Sequence, residues 1–391
     1  MIHKIAIVGG GPAGAMTAEK LARAGLEVAV FEEKVGWEKP CGGGLSHKAV
    51  KRYPFIRGEA ERAKLVRDME FVAPNGTSLK FEAREPLVIF PRCALNGYLL
   101  GRAASRGAKV IEERVHGFER ANGGWSVKTR QGSFNADFIV LAGGARTRLR
   151  RLLAEDFRAH DFMLTFGYYV PLKEERLRIQ FFENFEGYAW AFPREDHLSV
   201  GICGKFGEDV MAGLRDRLHA FMETFGYPTD CPVYSHLLPS LDIASWESLR
   251  LAGDGWALAG DAAGLVDPIT GEGIYYAMRS GEILADALTE DSAASYRERV
   301  RREFADDMTF GARVARHFYH GRVLGKPVTT RLIELALRSR TVMDTLQDMI
   351  EGSQPYSGIS ARLSWAFANS PVDRVFRSFR NVFRRPTTAT K

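Results

Sequence analysis

The chain has 391 residues, of which 45% are hydrophobic and 26% are charged, a composition that excludes the disordered, fibrous and collagen-like classes. Its length predicts two domains or one large composite domain. The net charge of +6 is concentrated near the C-terminus, where residues 310–391 contain 14 Lys and Arg against 5 Asp and Glu. We therefore expect no nucleic-acid-binding domain, but a tail that meets an anionic surface.

The first predicted elements form a βαβ unit. Apolar residues at 4–8 predict a buried strand, residues 15–24 predict a helix that ends at Gly25, and residues 27–31 predict a second strand. A strand, a helix and a second strand in this order are typical of a parallel sheet covered by helices.

A G-x-G-x-x-G motif occupies the turn between the first strand and the helix, and this context makes it specific for dinucleotide binding. Gly9 permits the tight turn, Gly11 lets a pyrophosphate approach the backbone, and Gly14 lets the helix pack closely on the strand. The start of the helix faces the phosphate charge. Glu32, at the end of the second strand, is expected to accept a hydrogen bond from a ribose hydroxyl. The predicted cofactor contacts of this unit are Gly9, Gly11, Ala13, Gly14 and Glu32.

The later predicted elements are widely separated along the chain. Apolar runs suited to a parallel sheet lie at 109–111, 138–141 and 256–259, so the nucleotide-binding sheet is expected to be discontinuous. Segments with period-2 alternation, typical of antiparallel strands, lie at 125–129, 178–182, 188–192 and 197–202. Helical patterns follow at 274–288, 293–318, 328–351 and 357–383.

A second glycine-rich cluster, A-L-A-G-D-A-A-G at 257–264, ends a strand with an acid, and P-I-T-G-E-G at 268–273 then opens a helix. Together with the arginine of F-P-R-C-A-L-N at 90–96, these segments resemble the flavoprotein monooxygenase superfamily that shares the para-hydroxybenzoate hydroxylase fold. The resemblance implies that the acid contacts the ribityl chain of FAD and that the glycine turn and helix support N1 and the C2 oxygen of the flavin. The cofactor contacts it implies are Arg92, Gly260, Asp261, Pro268, Gly271, Gly273 and Ile274.

Two further segments narrow the resemblance. K-P-C-G-G-G-L at 39–45 is similar to the KPCGG segment of geranylgeranyl reductases, and G-Y-A-W-A-F-P at 187–193 is similar to their YxWxFP signature. Those enzymes use reduced FAD to saturate isolated carbon–carbon double bonds in the prenyl chains of lipids, chlorophyll precursors or quinones. The resemblance covers roughly residues 1–290.

The resemblance implies an α/β fold with a discontinuous Rossmann-like FAD-binding domain, an inserted antiparallel-sheet substrate domain and a C-terminal helical region. We assign residues 1–160 and 246–290 to the FAD-binding domain, with a small inserted sheet segment at 65–90. Residues 161–245 are assigned to the substrate domain and 291–391 to the helical region.

The function implied is that of an FAD-dependent oxidoreductase, which transfers hydride from reduced flavin to a double bond of a prenyl lipid or quinone. One alternative is a flavin-dependent monooxygenase or halogenase that acts on an aromatic or polyketide substrate. An alternative of another class is a flavin-bearing electron-transfer or binding protein without an organic substrate of its own.

Three residues are candidates for contact with the reacting substrate. The resemblance places Cys41 beside the flavin, where a thiol could orient the alkene, donate a proton or gate the flavin geometry. Tyr188 and Trp190 alternate on one strand face, which could wall an apolar pocket. Packing in the core is the alternative interpretation for all three residues.

One departure from the family concerns the electron donor. The family usually has Ala-Asp-Gly where this chain reads Ala142-Gly143-Gly144, and the acid contributes there to the handling of pyridine nucleotides. The donor is therefore left open among NADPH, a ferredoxin-like protein and a quinol.

Four scattered cysteines without a CxxC pair predict neither a disulfide framework nor a metal site, and they fit a reducing, cytoplasmic location. The C-terminal segment 371–385 has apolar residues at three-to-four-residue spacing and arginines on the flanking side. Such a helix can lie in a membrane interface, so we expect peripheral contact with the inner face of the membrane. Packing of the helix on the protein itself is the alternative.

Overall fold

The computed structural model describes residues 2–121, 123–206, 210–290, 293–359 and 362. The strands are β1 (Lys4–Val8), β2 (Glu27–Phe31), β3 (Gly44–Leu45), β4 (Lys64–Val72), β5 (Ser78–Ile89), β6 (Lys109–Ile111), β7 (Gly117–Ala121), β8 (Gly124–Lys128), β9 (Ser133–Ala136), β10 (Phe138–Leu141), β11 (Phe162–Val170), β12 (Leu177–Phe181), β13 (Gly187–Pro193), β14 (Leu198–Lys205), β15 (Val233–Pro239), β16 (Ala252–Gly253), β17 (Trp256–Leu258), β18 (Arg322–Val323) and β19 (Lys326–Pro327). The helices are α1 (Pro12–Arg23), α2 (His47–Arg52), α3 (Arg92–Ser105), α4 (Val210–Phe225), α5 (Ile243–Ser248), α6 (Ile274–Glu290), α7 (Ala293–Phe304), α8 (Gly311–His320), α9 (Val328–Ala336) and α10 (Arg340–Glu351).

A six-stranded sheet in the order β16-β17-β10-β1-β2-β6 joins the distant apolar runs, and all its pairs except β16–β17 are parallel. Buried residues on both sheet faces explain why these strands are continuously apolar rather than alternating. In the register of β1 and β2, Val8 lies opposite Phe31, so the glycine turn after β1 and the acid after β2 meet at one edge. The predicted α/β class and discontinuous sheet are confirmed.

An eight-stranded sheet in the order β15-β11-β14-β13-β12-β4-β5-β3 forms the second layer. Its strands are antiparallel except for β12 and β4, which pair in parallel with Leu177 opposite Met69. The segment 65–90, which the sequence analysis assigned to the first domain as a small insert, therefore shares a sheet with 162–239. A separate three-stranded sheet, β7-β8-β9, contains most of the strand predicted at 125–129.

Helices α1 and α6 approach each other at the backbone, although they are far apart in the sequence. A Cβ atom at Gly281 would overlap the carbonyl oxygen of Ala13. The Thr17 hydroxyl donates to the Ala13 carbonyl at 2.8 Å and also contacts the Gly281 carbonyl at 3.3 Å. The contact holds the N-terminal glycine turn against the helix that follows the second glycine cluster.

The C-terminal region is largely helical, with three differences from prediction. A π-helical segment, Ala305–Phe310, interrupts the helix predicted at 293–318, and residues 337–339 divide the one predicted at 328–351 into α9 and α10. Strands β18 and β19 form a hairpin between α8 and α9. Most of the helix predicted at 357–383, with the tail segment 371–385, lies outside the described residues. Among the described helices, none combines the length and apolar character needed to cross a membrane.

The contact between α1 and α6 predicts opposite effects for two Gly→Ala substitutions in helices. Gly281→Ala should lower the free energy of unfolding by about 1–3 kcal/mol, because the added methyl group overlaps backbone that cannot move freely. Gly97→Ala, in α3, meets open space and should raise it by about 0.5–1 kcal/mol through helix propensity. Chemical denaturation measures the change in the free energy of unfolding of each variant. A Gly281→Ala variant as stable as Gly97→Ala would contradict the close contact.

Candidate active site

The glycine turn after β1 has the geometry that a bound pyrophosphate needs. Gly9 has a φ of +107°, and a Cβ atom on it would overlap the Ala142 carbonyl. A Cβ atom on Gly14 would overlap the Gly9 carbonyl, whereas one on Gly11 would meet nothing within 4 Å. The backbone therefore requires glycine at positions 9 and 14, and the space beside Gly11 is open. No acid lies in the first turn of α1 and no described side chain caps it, so its N–H groups remain available to an anion.

Glu32 lies beside this turn, as predicted. Its Oε2 accepts a hydrogen bond from the Gly10 N–H at 2.8 Å, and its Oε1 accepts one from the Lys34 N–H at 3.0 Å. These bonds orient the half-buried carboxylate at the edge of the sheet. Its contact with a ribose hydroxyl stays a prediction.

The second glycine cluster folds back on the first. Gly260 has a φ of +61°, and its N–H donates to Ser280 Oγ at 3.0 Å, on α6. A Cβ atom on Gly260 would lie 2.9 Å from the Cβ atom of Ala13, so the two predicted motifs are in contact. A Cβ atom on Gly273 would lie 3.3 Å from Asp261 Oδ1, which places this acid beside the turn that opens α6.

Asp261 forms a partly buried ion pair with Lys39, with 2.9 Å between Oδ2 and Nζ. Burial raises the pKa of the Asp261 carboxyl, but the charge and hydrogen bond of Lys39, with smaller contributions from His236 and Arg92, together lower it by more, so the net pKa lies below its usual range. In the sequence Lys39 stands out only as part of the K-P-C-G-G segment, and nothing in the local pattern indicates that its charge meets an acid 222 positions later.

Arg92, the first residue of α3, is another predicted contact and lies buried near the same ion pair, where its charge helps to lower the pKa of Asp261. Its backbone N–H donates to Glu38 Oε1 at 2.9 Å. Its Nε atom is buried without a hydrogen-bond partner among the described residues. Such an atom costs stability unless a ligand satisfies it. With the open space at Gly11 and the free start of α1, it fits an anionic dinucleotide such as FAD.

A cavity of about 260 Å³ lies between the eight-stranded sheet, the turn before α6 and the C-terminal helices. It brings together Cys41, Tyr188 and Trp190, the three predicted substrate contacts, with the glycine turn of 271–273. Most of its other walls are apolar. Representative side chains are Met69, Phe71, Leu177, Phe181, Phe318 and Ile350.

Cys41 is held in place through its backbone. Its carbonyl accepts from the guanidinium of Arg194 at 2.9 Å, and its Sγ accepts from the Gly43 N–H at 3.3 Å. Arg194 is 1% exposed and also donates to the Phe90 carbonyl. Gly43 has a φ of +78°, and a Cβ atom there would overlap that same carbonyl, which explains the glycine. The thiol position is thus set by a rigid segment.

Tyr188 and Trp190 lie on one face of β13, with ring centroids 6.0 Å apart. The Tyr188 hydroxyl donates to the Thr270 carbonyl, which ties the strand to the glycine turn. Burial raises the pKa of Tyr188 well above its ordinary value, so the phenol stays neutral. Trp190 Nε1 is buried without a partner among the described residues.

His236 and Glu272 are two of the titratable residues in the cavity wall that the sequence motifs did not indicate. Burial lowers the pKa of His236 to about 3, so the imidazole is neutral, and its Nε2 has no partner among the described residues. Burial raises the pKa of Glu272 to about 7. Glu272 lies between two predicted glycines, and that position was the one available signal.

Pro268, the remaining predicted contact, lies in the loop before α6 and packs near Gly311 of α8. Ile274 begins α6 and lines the cavity. The predicted site residues thus form two adjoining groups, one around the glycine turns and one around the cavity, which meet at the start of α6.

The position of Glu32 predicts its contribution to FAD binding. Glu32→Ala should weaken the affinity of the apoprotein for FAD by about 1–3 kcal/mol, because a charged hydrogen-bond partner is lost. Glu33→Ala is the matched control, since Glu33 is exposed and its ion pair with Arg114 is at the surface. Titration of apoprotein with FAD, followed by flavin fluorescence, measures both affinities. Equal affinities in the two variants would remove Glu32 from the site.

Comparisons with solved structures describe the fold. A geranylgeranyl bacteriochlorophyll reductase-like protein from Thermoplasma acidophilum superposes with a TM-score of 0.74 at 20% identity, over 97% of this chain and 99% of that chain. The flavin-dependent brominase Bmp2 gives a TM-score of 0.70 at 15% identity, over 90% of this chain and 93% of that chain. At these identities the likeness concerns the fold alone.

Comparisons of sequence identify the family. Geranylgeranyl diphosphate reductase of Synechocystis sp. is 29% identical over 327 residues, which are 75% of this chain and 76% of that protein. Digeranylgeranylglycerophospholipid reductase of Methanosphaerula palustris is 29% identical over 323 residues, 74% of this chain and 76% of that protein. Residues 3–161 match the pyridine nucleotide-disulphide oxidoreductase family. Residues 89–287, more than half of the chain, match the FAD dependent oxidoreductase family. The chain is therefore a member of the FAD dependent oxidoreductase family, an enzyme with FAD as its cofactor.

Proposed function

We propose that this enzyme reduces isolated carbon–carbon double bonds in a prenyl chain. The observation that carries the proposal is the cavity, whose mostly apolar walls include Cys41, Tyr188, Trp190 and the glycine turn of 271–273. A prenyl chain is apolar and branched, so its transfer from water into such a space lowers the free energy. The names of the relatives from Synechocystis and Methanosphaerula palustris point to the same substrate class.

An isolated alkene is a poor hydride acceptor, so the site must keep water away and support a strongly reducing cofactor. Reduced FAD, when bound, supplies the hydride. The residues that would hold it are those of the two glycine turns, with Glu32, Arg92 and Asp261 beside them. The start of α6 favours negative charge, because its N–H groups point toward the turn of 271–273.

The aromatic and aliphatic walls exclude water from the reacting bond. Tyr188 and Trp190 form one wall, and their alternation on β13 places both rings on the cavity side. Cys41, whose carbonyl accepts from Arg194, also lines the cavity, where its thiol can orient the alkene. The alternative of a monooxygenase or halogenase is supported only by the likeness of the fold. The apolar cavity and the relatives found by sequence favour the reductase.

Anaerobic single turnover tests the proposal. Protein reduced with dithionite is mixed with geranylgeranyl diphosphate, and mass spectrometry counts the hydrogen pairs that the product has gained. Wild-type protein should saturate at least one double bond while its flavin is reoxidised. Flavin that stays reduced, with an unchanged prenyl chain, would exclude this substrate class.

The same assay tests Cys41. Cys41→Ser should keep FAD affinity, because the segment is held through backbone contacts, but it should slow turnover or change the number of bonds reduced. Cys231→Ser is the matched control, since Cys231 contacts the Pro228 carbonyl and does not line the cavity. Identical rates and products for the two variants would leave Cys41 a packing residue only.

We also propose that the C-terminal segment 371–385 brings the enzyme to lipid-borne substrate. Its sequence places Val372, Val375, Phe376 and Phe379 at helical spacing, and its arginines contribute roughly 1 kcal/mol each near anionic lipid.

The reductant belongs to one of three classes, NADPH, a ferredoxin-like protein or a quinol, and anaerobic rates of flavin reduction by each distinguish them.

Flotation with vesicles tests the tail. Full-length protein should bind vesicles that contain anionic lipid, and binding should weaken as salt is raised. A chain that ends at Ser370 should remain unbound. Equal binding by the two chains, or by neither, would exclude this segment as the anchor.

A further inference from the structure

We propose that Glu272 is a catalytic acid, whose carboxyl group gives the proton to the alkene carbon that does not receive hydride. The inference rests on the proposed function and adds a residue to it. Glu272 lines the cavity shared by Cys41 and Tyr188, in the turn that opens α6. Because Glu272 lies between Gly271 and Gly273, its acid group is where the residues around the glycine turns meet the residues around the cavity.

The turn around Glu272 is held on both sides. Its carbonyl accepts from the Asp267 N–H at 2.9 Å, and its own N–H donates to Thr270 Oγ1 at 3.3 Å. The Ser46 hydroxyl donates to Glu272 Oε1 at 2.9 Å, from the residue that precedes α2. The carboxyl group therefore has a defined position rather than a range of exposed rotamers.

The charges around Glu272 come from several elements. Asp267 lies in the same loop, Lys48 on α2 and Asp307 in the π-helical segment, while the Tyr276 hydroxyl of α6 donates to Asp307 at 3.1 Å. Among the described residues that line the cavity, Lys48 is the only Lys or Arg, and its Nζ lies 2.9 Å from Asp307. Glu272 thus has two acids nearby and shares one cation that is already paired with another acid.

Burial raises the pKa of Asp267 as well, but Asp267 is a poor alternative acid, because both of its oxygens already accept hydrogen bonds. It accepts from the Tyr356 hydroxyl at 2.9 and 3.0 Å and from the N–H groups of Ile269 and Thr270 at 2.9 and 2.8 Å. These donors occupy both oxygens and hold the loop. Its role is structural.

The protonation state of Glu272 follows from this environment. Burial raises its pKa to about 7, the charge of Asp267 raises it as well, and Ser46 and Lys48 lower it. Burial raises the pKa of the Cys203 thiol in the cavity wall to about 12 and that of the Tyr188 phenol well above 10. Glu272 is thus protonated in part near neutrality and is a stronger acid than either.

Reduction of the double bond takes one proton and one hydride. The π electrons of the double bond form a C–H bond with the Glu272 proton as the carboxyl O–H bond breaks. The other carbon gains the hydride that the reduced cofactor supplies, which forms the second C–H bond. The alkene is reduced by two electrons, the cofactor is oxidised by two, and the Glu272 carboxylate regains its proton from water before the next turnover.

Kinetics of the full-length, FAD-loaded protein with geranylgeranyl diphosphate test the donor role. Glu272→Gln should lower the single-turnover rate at least about a hundredfold, the scale for losing a general acid. The wild-type rate should fall about tenfold per pH unit above the pKa of Glu272, because only the protonated carboxyl donates. The residual rate of Glu272→Gln should be independent of pH over that range. Ser46→Ala should move the break to higher pH, since the Ser46 hydrogen bond lowers the pKa.

A matched control and a second readout separate the donor role from damage to the fold. Glu186→Gln removes a carboxylate of similar burial outside the cavity lining, and its rate should stay within about twofold of wild type. The infrared difference spectrum of wild type minus Glu272→Gln should contain the C=O band of a protonated carboxyl group one pH unit below the pKa. That band should be lost one pH unit above it.

The outcomes are distinguishable. Wild-type protein that leaves the prenyl chain unreduced overturns the proposed function, and the donor role with it. Wild-type protein that reduces the chain no faster than Glu272→Gln, or a carboxyl band that is absent below the pKa, overturns the donor role alone.

Discussion

The close backbone contact between α1 and α6 is the constraint on which the rest of the site depends. Gly281 lies so close to the Ala13 carbonyl that a side chain at position 281 would overlap it, and Gly260 packs against the same alanine. Two turns about 250 residues apart in sequence are thereby placed side by side. Because α6 begins directly after the turn of 271–273, the position of α6 also determines where the residues around the glycine turns adjoin the residues that line the cavity.

The charge of the acids near the start of α6 depends on whether each acid has a basic side chain that is not shared with another acid. Lys39 lies 2.9 Å from Asp261 and favours the ionised form of that partly buried carboxylate, in the place where a polar contact to the cofactor is expected. Glu272, in the same part of the fold, shares Lys48 with Asp307. Two carboxyl groups of similar burial therefore have pKa values moved in opposite directions, which is how a single fold can offer an anion and an acid together.

The cavity depends on elements that the sheet alone does not provide. Helix α10 covers one side, and Arg84 of β5 holds it through hydrogen bonds to Glu351 at 3.1 Å and an ion pair with Asp348. The backbone N–H of Arg84 also donates to Gln347 Oε1 at 2.9 Å. These contacts place Met349 and Ile350 in the cavity wall, so the apolar character of the site comes in part from the C-terminal region.

The sequence by itself determined the βαβ unit, the two glycine turns and the cofactor class. These features are local, because hydrophobic period and the steric need for glycine act within a few residues, and Gly9 and Gly14 indeed permit contacts that no other residue allows. Tertiary structure alone decided the pairing of β4 with β12, the partnership of Lys39 with Asp261, and the division of the helix predicted at 328–351. It also decided that Glu272 faces a cavity near two other acids. The strand pairing, the ion pair and the position of Glu272 depend on residues far apart in the chain, whose approach is set by packing and burial of the whole domain rather than by any local pattern.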